Sequence, residues 1–385
     1  MTGRVVVNTD LNFVQGLMLH GAADLKKCYQ CSTCTVACPL TPNDQPFPRK
    51  EMLWAQWGMK DKLFRDMDLW LCHNCNDCTD QCPRGAKPGE VMSALRNQTI
   101  EHYSYPQAIS KAAKSARGNV VLFLIPMVLI ALAIAMKNIE SGFAFLTAKP
   151  IVYANMLTVN FIDILFLPPV LFAVFNSYKA ISNFIGGLKE QYPPTDRGEN
   201  LLPAVKGTIQ DVLSHIEFKK CGTNKSRNIS HRLMMYGFIG LFITTNAVFV
   251  LHWLNEFGFD VQVTPLPFFH PVKILGNVSA FAAFAGIYLI VRDRVKNSAT
   301  SILSLFDWMF IGNMFFTVVT GILCQVFRVG DHANLAFLTY YIHLVMVFYL
   351  LAYAPQTKFG HILYRPAAMI YSRYSGRNID IFRNL

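Results

Sequence analysis

The chain has 385 residues, of which 52% are hydrophobic and only 15% are charged. This composition lies outside the usage of ordinary soluble proteins, so a membrane protein is the first class to consider. The 35 lysines and arginines exceed the 24 aspartates and glutamates, but they cluster between long apolar runs, and membrane topology explains them better than nucleic-acid binding does.

The first segment of the chain, up to about residue 118, is polar and rich in cysteine. Its start, MTGRVVVNTDLNF, has no apolar run long enough for a secretory signal, which predicts that this segment stays in the cytoplasm. Eight of the ten cysteines lie between Cys28 and Cys82. A crowded set of thiols in a reducing compartment is more typical of a metal site than of a disulfide framework.

Two runs in this segment, CYQCSTCTVACP and CHNCNDCTDQCP, share the spacing C-x2-C-x2-C-x3-C-P. This spacing predicts two 4Fe-4S clusters, because three close thiolates hold one cluster while the fourth, beyond the turn set by the proline, reaches the other. Zinc is the alternative, but four-cysteine zinc sites usually pair two C-x2-C units across a longer gap. His73, inside the second run, is interpreted as a side chain that does not replace a thiolate. The predicted ligands are Cys28, Cys31, Cys34 and Cys82 for cluster 1, and Cys72, Cys75, Cys78 and Cys38 for cluster 2.

Six apolar stretches follow, and each is long enough to cross a bilayer as a helix. Lysines and arginines concentrate in alternate loops, at 179–189, 219–232, 292–296 and 358–377, which places these loops and both termini in the cytoplasm. The predicted fold is mainly α: a two-cluster ferredoxin-like domain at 1–118, then a six-helix membrane domain at 119–385 with a cytoplasmic loop at 187–230. The six stretches run from Val120 to Met136, Leu157 to Tyr178, Leu233 to Trp253, Val272 to Val291, Ile302 to Phe327 and Leu335 to Ala354.

The cytoplasmic loop contains the segment LLPAVKGTIQDVLSH, which has the spacing of an amphipathic helix. Leu202, Val205, Ile209 and Leu213 fall on one face of such a helix. We therefore expect a helix that lies on the membrane or against the iron–sulfur domain, rather than a catalytic element.

Four histidines lie in or at the edge of the apolar stretches, where ionisable side chains usually serve a function. Helix three runs outward from His231 to His252, and helix six runs inward from His343 to His361. The early histidine of one helix therefore faces the late histidine of the other. The pairs His231 with His361 and His252 with His343 predict two haems b with bis-His ligation, and hence a transmembrane cytochrome b bundle. The alternative is that the membrane-edge histidines are ordinary interfacial residues.

The polar groups near the outer end of the bundle are candidates for a quinone site, since a quinone needs a proton acceptor or donor in an apolar pocket. They are His270, Lys273, Asp331 and His332. His270, at the start of helix four, is the preferred proton acceptor, and Lys273 lies one turn further on. His270 also competes with His252 as the outer haem ligand. Ordinary interfacial residues are again the alternative.

The doubled cysteine run resembles the iron–sulfur C subunit of heterodisulfide reductases, and the histidine-bearing part resembles their haem-bearing E subunit. Their fusion in one chain is similar to the QmoC family, the membrane subunits of the quinone-interacting membrane-bound oxidoreductases of sulfate reducers. The last stretch, HLVMVFYLLAYAPQTKFGH, also resembles the gamma subunit of respiratory nitrate reductase. That resemblance implies His343 and His361 as haem ligands and carries over to His231. The wide spacing between His231 and His252 departs from that family.

These resemblances imply an electron-transfer subunit in the inner (cytoplasmic) membrane. It would be the quinone-reactive member of an oxidoreductase and would pass electrons between menaquinol, two haems b, two 4Fe-4S clusters and flavoprotein partners like QmoA and QmoB. The implied destination is adenylylsulfate reductase in dissimilatory sulfate reduction. The residues contain no phosphate loop, nucleotide-binding unit or hydrolytic triad, so the substrate half-reaction is assigned to other subunits.

Two other classes of function remain open at the level of sequence. The first is a haem and iron–sulfur membrane anchor of a heterodisulfide reductase-like complex without its own quinone chemistry. The second is a transporter that uses Asp163 and Asp307 as ion ligands. Six spans without inverted repeats or paired broken helices disfavour the transporter, and the two aspartates are interpreted as a hydrogen-bonded pair or as neighbours of a haem propionate.

Overall fold

The structure, a computed structural model, describes residues 9–41, 45–215, 225–296 and 304–377. Within these ranges all regular secondary structure is helical, which confirms the prediction of a mainly α protein. Six of the described helices are long and apolar enough to cross a membrane, as expected. Many of their large apolar side chains, among them Ile164, Leu132 and Phe281, are exposed. Such a surface is suited to contact with lipid.

Eight helices form the cysteine-rich part of the chain. The longest, over residues 88–103, starts at a proline, a residue well suited to the first helical position because it lacks an N–H. It packs against most of the others, and Leu17, Met52, Leu63 and Leu95 are fully buried between them. The helices are α1 (Leu11–Leu19), α2 (Thr33–Ala37), α3 (Arg49–Gln56), α4 (Lys60–Phe64), α5 (Asp68–Leu71), α6 (Asp77–Asp80), α7 (Pro88–Tyr103) and α8 (Gln107–Ala113).

The membrane helices are longer than the apolar stretches that predict them, because their polar ends continue the helix beyond the apolar run. The third and fourth spans pack closely through small residues: a Cβ on Gly240 would clash with Ser279 Oγ, and one on Gly237 would lie 2.5 Å from the backbone nitrogen of Ala283. The helices are α9 (Ala116–Asn138), the short α10 (Tyr153–Met156), α11 (Val159–Gln191), α12 (Leu201–Ser214), α13 (Lys225–Glu256), α14 (Pro271–Lys296), α15 (Leu305–Val329) and α16 (Ala333–Ala352).

The expectation that one helix carries both His343 and His361 is wrong. Helix α16 ends at Ala352, and two 3₁₀ turns follow, over Ala354–Gln356 and Lys358–Gly360, before a separate helix, α17 (His361–Ser375). Pro355 explains the break, because proline cannot donate the backbone hydrogen bond that would continue the helix. His361 is therefore the first residue of a new helix.

The helix expected in the loop between the second and third apolar stretches is confirmed as α12. Its small residues Ala204 and Thr208 are buried, and Asp211 pairs with Arg373 of α17 at 2.6 Å. Three residues of the predicted apolar face, Leu202, Ile209 and Leu213, remain exposed, and Val205 is half-buried. What covers that face stays a prediction. The following residues, 216–224, lie outside the described part of the chain.

The cysteine-rich domain lies at one end of the helix bundle and shares a hydrophobic core with it. Trp70 of α5 stacks on Tyr364 of α17 with ring centroids 4.8 Å apart, and Phe184 of α11 contacts both rings edge-on. Arg65 forms an ion pair of 2.5 Å with Glu190 near the end of α11. These contacts hold the domain against α11 and α17.

Candidate functional site

The two cysteine runs fold into similar loops. In each, the residues two and four positions after the first cysteine take the left-handed conformation, with φ of 66° and 72° in the first run and 54° and 74° in the second. The loop turns a backbone N–H toward the first sulfur, at 3.5 Å for Gln30 and Cys28 and at 3.3 Å for Asn74 and Cys72. Hydrogen bonds to sulfur are one of the means by which proteins set the potential of an iron–sulfur cluster. The left-handed residues are Gln30, Ser32, Asn74 and Asn76.

The fold brings Cys82 of the second run to the first three cysteines. Cys28, Cys31, Cys34 and Cys82 line one cavity. Burial, followed by the charges of the other three thiols, raises the pKa of Cys34 to about 11. Four thiolates so close together repel one another and are stable only if positive charge lies between them. The iron of a cluster supplies that charge. The residues therefore fit the cluster 1 predicted from the spacing, and the ligand assignment itself stays a prediction.

In the same way, the fold brings Cys38 of the first run close to the cysteines of the second run. Burial is the main cause that raises the pKa of Cys38 to about 12, and the nearby charges of Cys72 and Cys75 contribute. The pKa of Cys78 is raised further by burial and by the charges of Cys72 and Cys38. This second group of thiols is thus more buried than the first, in which Cys31 is exposed. It fits cluster 2 by the same argument.

Three arginines hold the loop of cluster 2 from different helices. Arg96 of α7 and Arg365 of α17 donate to the carbonyl oxygen of Cys72 at 3.0 and 3.1 Å. Arg227 of α13 donates to the carbonyl oxygen of Asn74 at 2.8 Å. Two of these, Arg227 and Arg365, come from the membrane domain. Sequence reasoning missed them, because nothing local marks a partner 153 or 293 residues away.

The same two helices carry the inner pair of candidate haem ligands. Arg227 precedes His231 by one helical turn, and Arg365 follows His361 by one turn. The structure brings His231 and His361 close enough for their charges to interact. His361 Nδ1 lies 2.7 Å from the carbonyl oxygen of Lys358. Because a carbonyl only accepts, Nδ1 carries the proton and the lone pair is on Nε2.

Burial lowers the pKa of His361 to about 4, so its imidazole is neutral at physiological pH. A neutral imidazole is the form that binds a metal, and an anchored Nδ1–H is the usual means by which proteins orient it. His231 is anchored as well, because its Nδ1 lies 2.8 Å from His215 Nε2. The inner pair therefore fits a bis-His haem site in the chemistry of its donors.

His215 is a residue of this site that sequence reasoning missed. It ends α12 in the left-handed conformation, with φ of 54°, and only 3% of it is exposed. Its Nδ1 lies 3.2 Å from the carbonyl oxygen of Leu213. No sequence signal distinguishes it from other histidines, since its contact with His231 depends on how α12 folds back.

The two candidate ligands of the outer haem, His343 and His252, differ in which ring nitrogen carries the proton. His343 Nδ1 lies 3.0 Å from Thr320 Oγ1, and the Thr320 hydroxyl donates to the carbonyl of Phe316 at 2.6 Å. His343 therefore donates from Nδ1, as His361 does. His252 instead places Nε2 at 3.2 Å from Asn160 Oδ1, so that Nε2 carries the proton. To ligate a second haem through Nε2, His252 would have to give up this bond.

The polar groups proposed for quinone are engaged in local contacts. His270 Nδ1 accepts from the backbone N–H of Val272 at 3.3 Å, at the start of α14. Lys273 is half-buried and lies near Arg328, and Asp331 pairs with Lys149. The structure therefore leaves the roles of His270, Lys273 and the exposed His332 as predictions.

The two membrane aspartates do not pair with each other. Asp163 accepts from Trp253 Nε1 at 3.0 Å. Asp307 accepts from the Ser304 hydroxyl at 2.7 Å, in a capping box at the start of α15, and pairs with Lys358 at 2.8 Å. Each aspartate thus has a structural partner on its own side of the bundle, which offers no support for an ion pathway.

Comparisons with known proteins agree with the two halves of the chain. Residues 24–86 match the family described as a 4Fe-4S dicluster domain. The chain is 22% identical over 176 residues to the E subunit of the dihydromethanophenazine:CoB–CoM heterodisulfide reductase of Methanosarcina acetivorans, covering 44% of this chain and 66% of that protein. It is 34% identical over 94 residues to the C subunit of the H2:CoB–CoM heterodisulfide,ferredoxin reductase of Methanothermobacter marburgensis, covering 24% of this chain and 51% of that protein.

A protein of Archaeoglobus profundus that is described as like the C subunit of heterodisulfide reductase is 34% identical over 117 residues, covering 26% of this chain and 62% of that protein. The chain thus spans between about half and two thirds of the length of these relatives. No solved structure matches it. One chain therefore combines likeness to the C and E subunits of heterodisulfide reductases. Together with the six apolar helices, this supports a multi-pass membrane subunit of an oxidoreductase that carries 4Fe-4S clusters and transfers electrons.

Proposed function

We propose that the chain is the quinone-reactive subunit of its complex and passes electrons between menaquinol and soluble partner subunits. The observation that carries this proposal is the attachment of the cluster 2 loop to both helices of the inner histidine pair. Arg227 and Arg365 link the carbonyls of Asn74 and Cys72 to α13 and α17. A membrane redox centre and a soluble one need to be close, because electron transfer slows steeply with distance.

Along the chain, residues 1–118 would hold the clusters and residues 119–385 the haems, with the cytoplasmic loop at 187–230. Both 4Fe-4S clusters and haems b supply one-electron transfer when bound. His231 and His361 would hold the inner haem, and His343 with His252 the outer one. The cluster ligands would be Cys28, Cys31, Cys34 and Cys82 for cluster 1, and Cys72, Cys75, Cys78 and Cys38 for cluster 2.

The order of the centres follows from burial. Cys72 of cluster 2 is buried, the other three cysteines of that cluster are partly buried, and Arg365 of the membrane domain contacts the Cys72 carbonyl, whereas Cys31 of cluster 1 is exposed. Cluster 2 would therefore stand next to the inner haem, and cluster 1 next to a soluble partner. We infer that the exposed end meets flavoprotein partners like QmoA and QmoB, with adenylylsulfate reductase of sulfate reduction beyond them.

The iron–sulfur domain would lie on the cytoplasmic side of the inner membrane. Basic residues of the membrane domain, among them Lys189, Arg294, Lys358 and Arg373, lie at the bundle end that contacts this domain. Positive residues in short loops mark the cytoplasmic side. At the opposite end, His270 would accept a quinol proton, and Lys273 would hold a ring carbonyl.

A second candidate function is favoured by the likeness to the C and E subunits of heterodisulfide reductases. In that case the chain would be a membrane anchor of such a complex, without quinone chemistry of its own. Metal and haem analysis of the purified chain, with an optical and paramagnetic redox titration, tests what both candidates share. We expect about eight iron atoms outside haem and two low-spin haems b. Zinc in place of that iron, or an absence of haem, would overturn the proposal.

A further inference from the structure

We propose that His215 is a positioning residue for His231: it accepts a hydrogen bond from His231 Nδ1–H and so keeps the lone pair of His231 on Nε2. This inference rests on the proposed function, in which His231 is a haem ligand. It assigns a role to a residue in a cytoplasmic helix that no sequence motif marks.

The first step is the tautomer of His215. Its Nδ1 lies 3.2 Å from the carbonyl oxygen of Leu213, which can only accept, so Nδ1 of His215 carries the proton. In the neutral ring Nε2 is then an acceptor.

The second step is the tautomer of His231. Its Nδ1 lies 2.8 Å from His215 Nε2. Since that nitrogen of His215 is an acceptor, His231 must donate from Nδ1, which leaves its lone pair on Nε2. The Leu213 carbonyl, His215 and His231 thus form a directed chain of two hydrogen bonds. Each bond fixes the proton of the next ring.

The third step is the rigidity of His215, because a mobile acceptor would not orient its partner. Tyr236 of α13 donates its hydroxyl to the carbonyl of Leu213 at 2.7 Å, and this ties the last turn of α12 to the helix that carries His231. The other side of α12 is tied to α17 by Asp211 and Arg373 at 2.6 Å. Helix α12 therefore bridges the two helices of the inner histidine pair.

The group that accepts the Nδ1–H hydrogen bond of His231 differs chemically from the groups that accept the corresponding bonds of His361 and His343. His361 donates to a backbone carbonyl and His343 to a threonine hydroxyl, whereas His231 donates to an imidazole nitrogen. A more basic acceptor draws the Nδ1 proton away and makes Nε2 the stronger ligand, which favours oxidised iron. His215 should therefore lower the potential of the inner haem.

The left-handed backbone of His215 makes a clean test available. Glycine adopts φ of 54° without strain, so His215→Gly deletes the ring while keeping the turn. Asparagine is also tolerated there, and His215→Asn keeps an oxygen acceptor. His20→Gly is the matched control, because His20 ends α1, is exposed and bonds the Gly16 carbonyl through Nδ1 at 2.7 Å.

The measurement is the haem content, low-spin paramagnetic spectrum and midpoint potential of the purified full-length chain. We expect His215→Gly to keep two haems, to change the spectrum of the inner one and to shift its redox equilibrium toward reduction about tenfold, equivalent to about 59 mV for one electron. His215→Asn should give a smaller shift, and His20→Gly none.

Three results would overturn the inference. An unchanged spectrum and potential in His215→Gly would show that the ring does not act on the iron. Loss of haem with no spectral change in what remains would show a merely structural role for α12. Conversion of the inner haem to high spin would make His215 itself a ligand. If the wild-type chain holds no haem, the proposed function fails first, before any variant is compared.

Discussion

The attachment of the iron–sulfur domain to the membrane domain depends on a buried group of charges around Lys50. Its ammonium lies 2.9 Å from Asp68, 3.1 Å from Glu51 and 3.7 Å from Asp66. Arg377, which follows α17, reaches Asp68 at 2.5 Å. Among the residues that the structure describes, three carboxyl groups thus face two cations, and one proton on the carboxyls makes this group neutral. Burial, the largest cause, raises the pKa of Glu51 well above its usual range, so Glu51 is the group that holds the proton.

We expect Lys50→Met to destabilise the protein by about 3–5 kcal/mol, the usual cost of leaving buried charges without their partner. Lys50 is only 9% exposed, and without it Asp66 and Asp68 would lose one of the two cations that the described residues place beside them. For a domain of this size the thermal midpoint should fall by more than about 10 °C. Lys60→Met is the matched control, because Lys60 is 44% exposed and solvent screens its ion pair with Asp10.

Because Glu51 is protonated in the folded protein, the stability contributed by this charged group depends on pH, and the sign of the dependence is known. Because its folded pKa is raised, Glu51 stabilises the folded protein at low pH, and this stability is lost as the pH rises through the folded pKa. Glu51→Gln removes this loss of stability at higher pH, because glutamine stays neutral. We expect its thermal midpoint to gain on that of the wild type as the pH rises above the ordinary pKa of a glutamate.

The assay is the loss of cluster absorbance during heating of the purified chain, at one heating rate for all variants. The reasoning about the charged group would be refuted if Lys50→Met melted within a few degrees of Lys60→Met, since both remove one lysine. It would be refuted equally if Glu51→Gln tracked the wild type across the pH range, because Glu51 would then be ionised in the folded protein.

The remaining predictions concern the cofactors. Cys38→Ser should damage cluster 2 and Cys82→Ser cluster 1, because each cysteine lies with the other run; paramagnetic spectra showing damage confined to the mutated run would exclude crossed ligation. His361→Ala and His343→Ala should each remove one haem, and a different one; a variant that keeps both low-spin spectra would show that its histidine is not a ligand. His270→Ala should keep both haems but slow their reduction by quinol, with dithionite still reducing them fully; loss of a haem would instead make His270 a ligand in place of His252.

Much of the architecture was predictable, because the signals are local and periodic. The apolar stretches predicted all six membrane helices, and the spacing of Leu202, Ile209 and Leu213 predicted α12. The C-x2-C-x2-C-x3-C-P spacing predicted which cysteines the fold brings together, since the reach of the fourth cysteine is a property of the loop. The family match of residues 24–86 supports the same 4Fe-4S assignment.

Features that depend on packing between distant segments were not predictable. Helix α16 ends before Pro355, although the resemblance of this stretch to a single ligand-bearing helix favoured its continuation. Arg227 and Arg365 are ordinary basic residues in sequence, and only the fold places them on the cluster 2 loop. His215 contacts His231 only because α12 folds back between α13 and α17.

The central claim, that this chain carries electrons from quinol to its iron–sulfur domain, is tested most directly by mixing the oxidised, purified chain with a menaquinol analogue. Haem absorbance and the paramagnetic signals of the clusters would be followed together in rapidly frozen samples. We expect the haems to be reduced first and the clusters afterwards, with His361→Ala blocking cluster reduction by quinol but not by dithionite. Haems and clusters that stay oxidised with quinol, yet are reduced by dithionite in the wild-type chain, would contradict the claim and favour an anchor without quinone chemistry.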